Sequence, residues 1–120
     1  MKESDPLAEF DLAPEAIVLV DREGEIAHAN KKAESLFGYG PGELQGLELD
    51  VLVPERFRGM HKDGQLAFFD NPYNRDFGVL MDIIGLERKG GEIPLDIRLE
   101  PVHVDGELLA KSVIRVRRTQ

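Results

Sequence analysis

The sequence predicts an α+β domain in which a central block of helices covers an antiparallel sheet. Three observations indicate this class. Apolar β-branched residues flank a turn near the N-terminus, helical spacing of apolar residues fills the middle, and the C-terminal half alternates with a period of two. The 120 residues suffice for a single hydrophobic core. The predicted order of elements is therefore β-β-α-α-α-β-β-β.

The first predicted elements are two short strands and a capped helix. The apolar run Ala16–Val20 and the segment Ile26–Ala29 flank turn residues that end in Gly24. Asn30 follows as a helix N-cap, because its side-chain oxygen can accept from the free amides of the first turn. Apolar residues then continue at helical spacing until Gly38, a residue type that commonly ends helices.

The middle of the chain predicts two further helical segments. Pro41 is tolerated at a first helical position and is expected to begin a short helical turn. Pro54 begins a longer helix, which Asn71 and Pro72 end. One face of this longer helix contains Phe57, Met60, Gly64 and either Ala67 or Phe68.

Three strands are predicted after the helices. A mostly apolar strand over residues 77–88 ends near Gly90-Gly91, which marks a hairpin. Residues 93–100 alternate between one buried face and one wet face, as in an antiparallel sheet. Asp105-Gly106 marks a second hairpin. The apolar faces consist of Ile93, Leu95, Ile97 and Leu99 in one strand and of Leu108, Ala110, Ser112, Ile114 and Val116 in the next.

Composition and charge exclude several classes of partner and location. The net charge of −8 is concentrated in residues 1–50, where 4 Lys/Arg stand against 12 Asp/Glu, whereas residues 51–120 carry 11 of each. This distribution argues against nucleic-acid binding, which requires clustered Lys and Arg. With no Cys, disulfides and thiolate chemistry are excluded. No apolar run reaches the ~20 residues of a membrane span and no signal peptide is evident, so we expect a cytoplasmic protein.

Catalytic and metal-binding motifs are absent from the sequence. It contains no phosphate loop, no HExxH motif and no nucleophile elbow. His28, His61 and His103 have no second His or carboxylate at metal-ligand spacing. We interpret His61 as a contact on the surface of the longer helix. The chain is therefore predicted not to be an enzyme and to hold no metal.

Three segments resemble the PAS family of sensor domains. They are PEAIVLVDREGEIAHANKKAESLFGYGPGELQG, LVPERFRGMH and LERKGGEIPLDIRLEPV, which occur in the family's order. The first is similar to the PAS helix that follows the second strand, and residues 88–97 are similar to a hairpin between later elements. The chain departs from the family at its end, where Val116 stands in place of the usual Asp.

The resemblance implies a fold, a function and partners. The implied fold is a five-stranded antiparallel sheet of order 2-1-5-4-3 with short helices between strands 2 and 3, formed by residues 10–118 after a flank of residues 1–9. The implied function is non-catalytic signal transduction, as in two-component systems, through a sensor that regulates an attached or partner output such as a histidine kinase. A homodimer is expected and no cofactor is, and the sensor is expected to act through its dimer state or through a small-molecule ligand. The alternatives are a sensor that carries haem or flavin and a purely structural dimerisation module with a filled core.

Candidate ligand contacts come from an aromatic stretch and from the inward face of the sheet. The stretch FFDNPYNRDFG, residues 68–78, holds four of the eight aromatic residues and follows the longer helix, where PAS relatives carry ligand contacts. Small residues in the last strand either leave room for a ligand or let a helix pack closely. The predicted pocket residues are Phe69, Tyr73, Arg75, Phe77, Ile97, Leu99, Ser112 and Ile114.

Overall fold

The computed structural model describes residues 7–72, 75–77 and 83–117, and of residues 75–77 only the backbone. The N-terminal elements are helix α1 (Ala8–Asp11), strand β1 (Ala16–Val20), strand β2 (Ile26–Ala29) and helix α2 (Lys31–Phe37). Two 3₁₀ turns, Leu49–Leu52 and Glu55–Phe57, precede helix α3 (Arg58–Asp70). The remaining strands are β3 (Arg75–Phe77), β4 (Ile83–Leu86), β5 (Glu92–Val104) and β6 (Glu107–Val116).

The strands form one antiparallel sheet in the order β2-β1-β6-β5-β3, with β4 also paired to β5. β3 pairs with residues 97–99 of β5 and β4 with residues 92–95, so both segments occupy the same edge of β5. Together they take the position of the third strand, which confirms the predicted order 2-1-5-4-3. β1 lies between β2 and β6, and all five of its residues are buried, as expected for an interior strand.

The buried side chain of Asn30 connects α2, β1 and α1. Its Oδ1 accepts from the backbone N–H of Ala33 at 3.0 Å, which caps α2 as predicted, and from that of Ile17 at 2.9 Å. Its Nδ2 donates to the carbonyl of Phe10 at 2.7 Å and to that of Glu15 at 2.9 Å. Because Asn30 is only 1% exposed, this one amide takes the place of water for four backbone groups.

The sheet has an inner face, which α2 and α3 cover, and an outer face on the opposite side. For residues 93–100 the predicted inner face is confirmed, since Leu95 is buried in the inner core and Ile93 and Ile97 pack against it. The predicted wet face is only half-exposed, with Arg98 as its one exposed residue. α1 packs on the outer face through Phe10 and buries residues there that the sequence analysis left unassigned. The outer core consists of Phe10, Ile17, Leu19, Leu109 and Val113.

The region before the sheet confirms one predicted helix and corrects another. The longer helix is present as α3, with Asn71 as its C-cap. The helical turn predicted at Pro41 is wrong, because residues 41–44 form turns and Gly42 has a φ of 74°. The Gly42 N–H donates to Oε2 of Glu34 at 2.7 Å, which holds this left-handed conformation. In the described part of the chain, no helix is long and apolar enough to cross a membrane.

Candidate functional site

A cavity of about 430 Å³ lies between α3 and the inner face of the sheet. Small-molecule sites in proteins typically have volumes of about 300–1,000 Å³, so this space is large enough for a ligand. Its floor is made by inner-face residues of β1, β4, β5 and β6. The wall formed by α3 and the turn before it consists of Phe57, Met60, His61, Gly64, Gln65, Phe68 and Phe69.

Two aromatic residues near the C-terminal end of α3 fix this helix on the sheet. Phe68 and Phe69 are buried, and their rings meet edge to face with centroids 5.4 Å apart. Both pack against Ala110 of β6 in one apolar cluster. Earlier in the helix, Nε2 of Gln65 donates to the carbonyl of Arg22 at 3.4 Å, in the turn between β1 and β2. These contacts hold α3 across the inner face and define one side of the cavity.

Two glycines in the cavity lining have different surroundings. A Cβ added to Gly64 in α3 would meet nothing within 4 Å. A Cβ added to Gly85 in β4 would lie 2.6 Å from Cδ1 of Leu95 and 3.0 Å from Cε1 of Phe37. Because Leu95 and Phe37 are themselves buried, close packing requires glycine at position 85. Position 64 has open space for a larger side chain.

The described walls of the cavity are apolar and carry no charge. None of the described lining residues is Asp, Glu, Lys or Arg, and the polar ones are His61, Gln65 and Ser112. Nδ1 of His61 is buried and has no hydrogen-bond partner within the described part of the chain. Burial lowers the pKa of His61 below its usual range, and the Asp50 carboxylate opposes this shift. Burial therefore favours the neutral imidazole.

Comparison with known proteins identifies the family to which this chain belongs. A family model described as the PAS fold matches residues 5–117, which is nearly the whole chain. This chain belongs to the PAS family. The resemblance seen in the sequence is therefore confirmed, and the five-stranded antiparallel sheet agrees with the PAS structures to which it is similar.

Solved PAS structures and a curated kinase are among the relatives of this PAS domain. The PAS domain of an HTR-like protein from Haloarcula marismortui has a TM-score of 0.75 and 22% identity, covering 92% of this chain and 87% of that chain. The PAS domain of nitrogen regulation protein NR(II) from Vibrio parahaemolyticus has a TM-score of 0.72 and 17% identity, and the match covers 96% of this chain and 100% of that chain. The cell-division control histidine kinase PdhS of Brucella ovis is 31% identical over 94 residues, which cover 72% of this chain. This PAS domain spans about 8% of the length of PdhS, and the similarity supports a signalling sensor module.

The PAS domain brings most of the predicted pocket residues to one place. Tyr73 lies outside the described residues. The backbone of Arg75 and Phe77 pairs with β5 in β3, and their side chains are not part of the description. The role of all eight residues as ligand contacts stays a prediction. Those that line the cavity are Phe69, Ile97, Leu99, Ser112 and Ile114.

The sequence interpretation of His61 as a surface contact is wrong, because His61 lines the cavity of the PAS domain. Helical spacing contains the signal, since His61 follows Phe57 by four residues and precedes Phe68 by seven. The predicted apolar face of α3 is the cavity face, with Phe68 rather than the exposed Ala67 as its last member. His61 was not assigned to this face because a polar residue is not expected among the apolar residues there.

A second depression on the PAS domain is a weaker candidate for a site. It has a volume of about 530 Å³, is open to solvent and is lined by charged residues beside Pro54 and Leu86. There, Arg56 donates to both carboxylate oxygens of Glu92, at 2.6 and 2.8 Å. Within residues 7–72, 75–77 and 83–117, no three His, Asp or Glu side chains are grouped as metal ligands. The cavity under α3 is therefore the candidate site.

Proposed function

We propose that this PAS domain is a non-catalytic sensor module that binds a small molecule under α3 and transmits its occupancy to a signalling output. The observation that carries this proposal is the apolar cavity of about 430 Å³. Protein interiors are close-packed, and this space equals the liquid volume of about 14 waters. Because its described walls offer few polar partners for water, an apolar molecule is the better occupant.

The output in this proposal is a histidine kinase or another enzyme, attached to the domain or associated with it in the cytoplasm. The similarity to a segment of PdhS supports a kinase. A ligand can shift such an output only by binding its two states with different affinity. The described cavity walls contain no carboxylate that would serve as an acid or base, so binding is the role that the site supports.

We propose in addition that the domain forms a homodimer through α1 and the outer face of the sheet. Leu12, the C-cap of α1, is 85% exposed, and Leu7 and Val104 are only partly buried against the outer core. Exposed apolar groups beside such a core support an interface. Sedimentation of Leu12→Glu should show weakened association, whereas Leu66→Glu on α3 should associate as the wild type does. Equal association of both variants would contradict this interface.

We propose that the ligand is not haem. Haem iron is held by an axial side chain such as His, and His61 is the single imidazole among the described lining residues. That lining has no Lys or Arg to pair with the carboxylates of a haem. His61 would therefore suffice as an axial ligand, but the described lining offers the haem carboxylates no cation, so an uncharged organic ligand fits these residues better.

Native mass spectrometry and visible absorption of protein purified from haem-supplemented cells test these proposals together. We expect a colourless sample with an added mass that denaturation removes. The variant Ala110→Leu, which adds bulk to the cavity floor beside Phe68 and Phe69, should lack this mass. A visible absorption band would favour the haem or flavin alternative, and bare monomer mass in the wild type would contradict both the ligand and the dimer.

A further inference from the structure

We infer that the cavity selects an uncharged, largely apolar molecule with one hydroxyl group, an alcohol or a phenol, and that His61 binds this hydroxyl. The inference rests on the proposed ligand-binding function and adds the chemical class of the ligand. Three properties of the described walls lead to it: their lack of charge, the unpaired nitrogen of His61, and the small number of other polar groups.

The described walls offer no charged partner to a charged ligand. No Asp, Glu, Lys or Arg side chain is among the described lining residues. An ion transferred into an apolar site without a partner loses its hydration and gains little in return. Carboxylates, phosphates and ammonium groups are therefore disfavoured, and an uncharged molecule remains.

The unpaired Nδ1 of His61 specifies the polar group of the ligand. Buried polar atoms without a partner are rare in proteins, and a ligand that hydrogen-bonds to this nitrogen removes the deficit. In a neutral imidazole one ring nitrogen donates and the other accepts. A hydroxyl group both donates and accepts, so it pairs with Nδ1 in either tautomer. A ketone or an ether accepts only and pairs with one tautomer alone.

The remaining polar groups of the described lining are few, so most of the ligand must be apolar. One side-chain N–H of Gln65 is directed at the Arg22 carbonyl, so the second N–H and the carbonyl oxygen of Gln65 and the Ser112 hydroxyl are the further polar groups of the described lining. The rest of the ligand meets apolar side chains such as Ile97 and Leu99. An engineered apolar cavity of about 150 Å³ binds benzene. A cavity of about 430 Å³ therefore has room for two fused rings.

Three matched probes test the inference: 2-naphthol, naphthalene and 2-naphthoate. Their dissociation constants are measured at pH 7.5 by NMR titration of the wild type and of His61→Leu, with His103→Leu at an exposed position of β5 as the control. We expect the wild type and the control to prefer 2-naphthol over naphthalene by about fivefold, the value of one net hydrogen bond. His61→Leu should bind both equally, His61→Gln should keep part of the preference, and 2-naphthoate should bind to none of them.

The outcomes separate this inference from the proposed function. Equal affinity of the wild type for 2-naphthol and naphthalene overturns the inference alone, since the cavity then binds ligands without using His61. An unchanged preference in His61→Leu, or tight binding of 2-naphthoate, overturns it as well. If none of the three probes binds to the wild type, the inference and the proposed ligand site both fail.

Discussion

Replacement of Asn30 by Ala tests how far the fold depends on one buried amide. The variant leaves the N–H groups of Ile17 and Ala33 and the carbonyl of Glu15 without this partner, whereas the Phe10 carbonyl keeps the N–H of Ala13 at 3.3 Å. Loss of an N-cap alone costs about 1 kcal/mol. Each unsatisfied buried group costs about 1–3 kcal/mol, so three groups at the lower limit give about 3 kcal/mol. Small domains have unfolding free energies of about 5–15 kcal/mol, so this loss is a large fraction of the total.

Urea denaturation followed by far-UV circular dichroism measures this loss. We expect a lower midpoint with an unchanged m-value, because the surface exposed on unfolding stays the same. Ser35→Ala, at an exposed position of α2, is the matched control and should change the unfolding free energy by less than about 0.5 kcal/mol. A loss near 1 kcal/mol for Asn30→Ala would mean that it acts only as an N-cap and would refute the reasoning.

Three further predictions concern the cavity walls. Gly85→Ala should lower the unfolding free energy by about 1–3 kcal/mol through overpacking against Leu95, and a neutral effect would contradict that packing. Gly64→Ala and its control Gly59→Ala lie in α3, where an added Cβ would meet open space. Each should raise the unfolding free energy by about 0.5–1 kcal/mol, and a lower unfolding free energy in either variant would contradict this geometry. Burial lowers the pKa of His61 in the folded state, so the unfolded chain binds a proton at His61 more readily than the folded chain does. The unfolding free energy therefore decreases as pH falls below about 6.5, the pKa of an unperturbed histidine. Between pH 7.5 and pH 5.5 the melting temperature should fall less in His61→Gln than in the wild type. An equal fall in both proteins would contradict this role of His61.

Local sequence patterns predicted the strands and the longer helix well, because they report directly on spacing. The alternation of residues 93–100 identified the inner face, and Asn30 was recognised as an N-cap. The same patterns did not reveal that the Asn30 amide also binds α1 and β1, since those partners are 13 to 20 residues away. The turn at Pro41 was mistaken for a helix because the carboxylate of Glu34, which binds the Gly42 N–H, lies in another element.

The site was predicted less completely than the fold. The sequence placed Ser112 and Ile114 on the inner face, and the structure brings them to the cavity. It missed His61, whose residue type is more common on a helix surface than on an apolar wall. It also missed the burial of Leu109 and Val113, because that burial depends on where α1 docks. The spacing of apolar residues within one helix or strand does not show which distant element will pack against it.

NMR of methyl-labelled protein tests most directly whether the cavity under α3 is a ligand site. Titration with 2-naphthol should shift the methyl signals of Ile97, Leu99 and Ile114 and give nuclear Overhauser effects between them and the aromatic protons of the probe. The methyls of Ile17 and Leu19 on the outer face serve as an internal control and should not change. Unchanged inner-face methyls, or shifts confined to the outer face, would contradict the account.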